Sequence, residues 1–84
     1  MNPLVVHVSP QEDYTLRLEF EGGQVRNFGM KPYLNFGIFK ELADFPYFCS
    51  VHIEFGSIEW PHGQGLSYDT LFLRSTPAPS STKS

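Results

Sequence analysis

One stretch, FCSVHIEFGSIEW at residues 48–60, leaves this chain few folds to choose from. Apolar and polar residues alternate on both sides of a Gly56-Ser57 pair, the pattern of a β-hairpin closed by a two-residue turn. Such a turn sets Phe55 opposite Ile58, Glu54 opposite Glu59 and Ile53 opposite Trp60. Successive side chains of a strand point to opposite faces, so Val51, Ile53, Phe55, Ile58 and Trp60 then share one apolar face. Ser50, His52, Glu54 and Glu59 share the other. Cys49 falls in step with Val51 and Ile53 and is expected on the apolar face as a small hydrophobe.

The flanking segments add a second hairpin and little helix. Residues 4–8 are rich in β-branched side chains and stop at Ser9-Pro10, and residues 10–13 read as a turn. Tyr14, Leu16, Leu18 and Phe20 alternate with Thr15, Arg17 and Glu19. With Gly22-Gly23 as a two-residue loop, Phe20 faces Val25 and Glu19 faces Arg26, an opposite-charge pair worth a few tenths of a kcal/mol. Only residues 38–44 look helical, with Ile38, Phe39, Leu42 and Ala43 on one side; about two turns need packing on the sheet to persist. Phe45-Pro46-Tyr47 ends that helix. Residues 60–65 read as a loop, and residues 66–73 as a last short strand or helical turn. The expected architecture is α+β: a small antiparallel sheet of two hairpins with one short helix packed on it. A single domain over residues 3–74 is followed by a Ser/Pro-rich tail, residues 75–84, without large apolar side chains and expected to be disordered.

Composition excludes several functions. The net charge is −3, and Lys and Arg stand singly, so the basic patch that phosphate binding needs is missing and no direct nucleic-acid contact is expected. No apolar run is long enough to span a membrane, and MNPLVVHV lacks the basic segment of a signal peptide. The single Cys49 cannot form an internal disulfide, which fits a cytoplasmic protein.

Two constellations carry candidate chemistry. On the polar face of the 48–60 hairpin, His52 with Glu54 and Glu59 could ligate a divalent cation; the competing reading is a solvated strand face whose repulsion is damped by Arg17, Arg26 or Lys40. The loop after Trp60 offers Trp60, His62, Tyr68 and Asp69 as partner-binding residues, since Trp and Tyr dominate interface anchors. Its competitor is structural, with Trp60 plugging the sheet and Gly63 supplying a turn. A lone His62 without a positioned partner does not make a catalyst, and no cofactor motif is present.

Four pieces resemble a small bacterial family known as domain-of-unknown-function family 2442: VVHVSPQEDYTLRLEFEGGQVRNF, FGIFKELADFPYF, SVHIEFGSIEW and WPHGQGLSYDTLF. The Trp-Pro-x-Gly loop directly after a Gly-turn hairpin is the most specific of them. His62 stands where the family commonly has Asn, Gly65 where it has Asp, Tyr68 where it has Pro and Gly29 where it has Asp. A ligand site built on those polar residues in relatives would be incomplete here. The resemblance implies a compact α+β fold and, from relatives that look like half of a toxin–antitoxin-like gene pair, a regulatory or neutralising role. The expectation is therefore a non-enzymatic protein-interaction domain without a cofactor, its partner a protein, with the first strand as a free edge and a homodimer compatible with the sequence.

Overall fold

The computed structural model describes residues 2–78. Three strands open the chain: β1 (Val5–Pro10), β2 (Thr15–Phe20) and β3 (Val25–Gly29). Two 3-10 segments, Lys31–Tyr33 and Gly37–Ala43, lead to a one-turn helix α1 (Phe45–Phe48). Then come β4 (His52–Glu54), β5 (Ser57–Glu59), β6 (Gly65–Leu66), helix α2 (Tyr68–Arg74) and β7 (Thr76–Pro77). The fold is α+β, with the two hairpins expected from the sequence, β2–β3 and β4–β5, in separate antiparallel sheets, ordered β1-β2-β3-β7 and β4-β5-β6.

The inner face of the larger sheet holds Val5, Leu16, Leu18, Phe20 and Phe28. Met30, Leu42, Phe48, Ile58, Trp60 and Leu71 close over it from the helices and the small sheet. Aromatic edges and faces knit these layers: Phe20 meets Phe72 at 5.2 Å, and Trp60 stacks on Phe48 at 6.3 Å while its Nε1 donates to the Phe48 carbonyl. Tyr14 takes φ +64° to reach under α1, where its ring lies 5.1 Å from Phe48 and its hydroxyl donates to the Ala43 carbonyl. In the same turn the Asp13 carboxylate accepts from the Thr15 N–H; hydrogen bonds from Thr15, with Lys31 adding a weaker pull, hold that carboxyl below its ordinary range.

Both hairpin registers differ from those expected. The first closes on Glu21-Gly22-Gly23, with Phe20 N–H donating to Gln24, so Glu19 faces Val25 and Arg26 faces Leu18. A one-residue slip turns Arg26 to the inner face, so the expected Glu19–Arg26 pair does not form. Arg26 instead lies 4.7 Å from the Phe72 ring centroid and donates to both Ser75 Oγ and the Ser75 carbonyl. That clamp, with β7 paired to β3, carries the fold past Arg74, where the disordered tail was expected to begin. Ser75 is buried, and residues 79–84 of the expected tail lie outside the described residues.

The second hairpin turns on Phe55-Gly56, not Gly56-Ser57. Ile53 faces Ile58, His52 faces Glu59 and Glu54 faces Ser57. The slip moves each partner by two, so Val51, Ile53, Ile58 and Trp60 keep their common face while Phe55 drops out of it. Residues 37–43 form a 3-10 segment, whose three-residue repeat aligns Phe39 with Leu42 and turns Ile38 outward. The 37–43 segment ends just before Phe45-Pro46-Tyr47, as expected, but these residues open α1, where Pro46 sits in the first turn and its missing N–H is harmless. Cys49 follows α1 before the strand alternation begins, and is exposed rather than on the apolar face.

Candidate functional site

Phe55 occupies the tip of the β4–β5 hairpin with φ +51°, followed by Gly56 at φ +80°. Two consecutive positive φ values define a type I′ turn, whose twist matches the flanking strands but which favours Asn or Gly at its first position. The Phe55 side chain is 92 % exposed. Of the exposed large apolar residues among the described residues, only Phe55 has a left-handed backbone; Val6, Phe36, Ile38 and Leu73 do not. The tip is docked on the start of β1: Val5 N–H donates to the Gly56 carbonyl at 2.8 Å, and Leu4 packs against the bare Gly56 Cα. Val6, the extra residue of a β-bulge between Val5 and His7, is 42 % exposed beside it. Sequence reading missed this patch because it placed Phe55 on the buried face.

The polar face of the same hairpin assembles all three expected ligands. His52 and Glu54 are two apart on β4, hence on one face, and Glu59 stands opposite His52 on β5. His52 Nε2 lies 3.6 Å from Glu54 Oε1 and 4.0 Å from Glu59 Oε1. The Glu54–Glu59 opposition expected from the sequence is replaced by His52 between two carboxylates. Among the described residues no Lys or Arg nitrogen lies within 4.0 Å of either, so Arg17, Arg26 and Lys40 do not neutralise them.

The four residues expected to bind a partner do not form one surface. Trp60 is fully buried and cannot touch a partner; its indole fills the space between the small sheet and α1. His62 is exposed, its ring stacked on Tyr47 and its Nδ1 2.6 Å from Glu41 Oε2. Tyr68 and Asp69 begin α2, which Ser67 caps by accepting from the Thr70 N–H. Tyr68 N–H donates to Ser57 Oγ, and Asp69 accepts from Asn2.

The centre of the 60–65 loop is a residue sequence reading passed over, Gln64. It is buried, accepts from the Tyr47 hydroxyl at 2.6 Å and donates to Glu41 Oε1 and the Ile38 carbonyl. Tyr47 in turn accepts from the His62 N–H. These hydrogen bonds join the loop to the 3-10 segment and α1. Among the described residues, no Ser, Thr or Cys side chain hydrogen-bonds His62. An open cleft lined by Asp13, Thr15, Arg17, Asn27 and Thr76 lies on the far, solvent side of the larger sheet, away from these groups.

Among the described residues no helix is long and apolar enough to cross a membrane. A family model, described as "Protein of unknown function (DUF2442)", matches residues 5–77, so the chain belongs to that family. The match reaches β7, as the folded chain does. No curated protein and no solved structure matches the chain.

Proposed function

We propose that this DUF2442 domain is a non-enzymatic protein-interaction module of a bacterial, cytoplasmic protein, gripping its partner with Phe55 and the adjoining start of β1. The observation that carries the reading is the conflict at Phe55 between conformational cost and exposure. A left-handed backbone costs an L-residue about 1–2 kcal/mol, and a 92 % exposed ring recovers almost none of it in the free protein. Seating the ring in an apolar pocket would remove an aromatic area of roughly 150–250 Å² from water, the character of an interface anchor. Leu4 and Val6 extend the contact.

The β1 edge alone is a poor template for an added strand. Gln11 N–H bonds Thr15, and strict alternation then turns the backbone groups of Ser9 and His7 toward β2. Val8 is left to offer outward groups, Pro10 has no donor, and Val5 N–H is taken by Gly56. A bulge and a proline are the usual protections of an edge. The partner we infer is therefore a protein with an apolar pocket rather than an unpaired strand. In the gene-pair reading it is the neighbouring gene's product, and this chain is the regulatory, antitoxin-like member.

The test is affinity capture from nuclease-treated lysate with the tagged full chain and its Phe55→Asn variant as parallel baits. One stoichiometric protein held by the first and lost by the second supports the reading. Equal retention by both would place the contact elsewhere, and an empty capture with folded bait would count against an interaction role.

A further inference from the structure

We propose that His52, Glu54 and Glu59 form a mononuclear zinc site on the outward face of the β4–β5 hairpin, with its fourth position open to solvent. The inference is independent of the Phe55 contact, which occupies the tip of the hairpin.

Strand geometry builds the site. Positions 52 and 54 project from one face of β4, and position 59 projects from the same face directly across the ladder. Three ligands on two paired strands thus form a triangle that needs no loop to order it. One nitrogen and two carboxylate oxygens lie within 4.8 Å of one another, His52 Nε2 being 3.6 Å and 4.0 Å from the two carboxylates. Tetrahedral zinc, with bonds of about 2.0–2.1 Å, holds its ligand atoms about 3.3 Å apart. Side-chain rotation of about 1 Å or less in the two measured pairs closes that gap, and all three side chains are exposed enough to rotate.

The donor set selects the metal. Calcium takes six to eight oxygens and magnesium keeps an octahedral shell of oxygens and water, so neither gains from a lone imidazole. A borderline ion of tetrahedral habit accepts imidazole and carboxylate together. The electrostatics agree, since among the described residues no Lys or Arg nitrogen approaches either glutamate within 4.0 Å. Another His–carboxylate contact, His62 with Glu41, makes a poorer site: Glu41 Oε1 is already taken by Gln64, and among the described residues no third ligand joins it.

The experiment titrates zinc chloride alone into the metal-free full chain by calorimetry, with cobalt(II) absorption reporting coordination geometry. Expected are one equivalent per chain, the intense visible bands of four-coordinate cobalt, and binding weakened at least about tenfold in His52→Ala, Glu54→Gln and Glu59→Gln. His62→Ala binds as the parent does. Circular dichroism establishes that each variant is folded, which exposed strand positions favour. Undiminished binding in His52→Ala, loss of binding in His62→Ala, or no binding at millimolar zinc would each overturn the site.

Discussion

Replacing Phe55 with Asn separates folding from function, because the two respond in opposite directions. In the free protein Phe55 holds φ +51° at the first position of a type I′ turn. Asn tolerates this region and relieves about 1 kcal/mol of the conformational cost. Against that stands the burial lost. A ring of roughly 200 Å² that is 92 % exposed hides only about 16 Å², worth about 0.4 kcal/mol at ~25 cal/mol per Å². Phe55→Asn should therefore stabilise the domain by about 0.5 kcal/mol, a rise of roughly 2–4 °C in Tm for a domain of this size. Urea unfolding followed by the fluorescence of Trp60, the sole tryptophan, reads the change directly, since the indole is buried against Phe48. The same substitution should weaken partner capture by tenfold or more. A destabilisation of 1 kcal/mol or greater would refute the reasoning, for it would mean that the ring supports the fold.

Four further outcomes test the structural description. Gly56→Ala combines a positive φ with a new Cβ only 2.8 Å from Leu4, and should cost about 2–4 kcal/mol in urea titrations, whereas Gly22→Ala, with open space around it, should cost about 1 kcal/mol. Gln64→Leu strands the Tyr47 hydroxyl, the Ile38 carbonyl and one Glu41 oxygen, and should lower stability by about 2–3 kcal/mol by the same measurement. Ending the chain after Arg74 removes the hydrogen-bond acceptors of Arg26 and the β7 ladder, for an expected loss of about 2–4 kcal/mol in urea titrations. The Asp13 carboxyl is held low in the folded state, so its contribution is present above its unfolded value near pH 4 and is lost as pH falls through the folded value. Tm measured from about pH 5 to pH 2 should accordingly fall less steeply in Asp13→Asn than in the parent chain.

Alternation was the legible part of this fold. The residues buried on β2 and on the 51–60 hairpin were readable from period two alone, and they survive even where the register does not. What sequence could not supply was the choice of turn, because non-local contacts make it. Gly56 packs under Leu4 and accepts from Val5, while Ser57 accepts from Tyr68, and together these offset the cost of a phenylalanine in a left-handed turn. The observed register also removes the Glu54–Glu59 opposition by placing His52 against Glu59. Arg26 was misplaced for a related reason: a three-residue loop rather than a two-residue one turned it inward, toward Ser75, 49 positions away. The candidate ligands His52, Glu54 and Glu59 were legible because strand parity fixes their common face. Phe55 was not, because the same parity argues for burial until the turn is known.

Site-specific photo-crosslinking from position 55 tests the interaction role most directly. A benzophenone amino acid replaces Phe55 in the full chain, and a second version carries it at the exposed Gln24, beside the other hairpin loop. Irradiation in cells is expected to give one discrete adduct with a second protein from position 55 and none from position 24. No adduct at position 55, or the same set of adducts from both positions, would contradict the proposal that this domain works through its Phe55 tip.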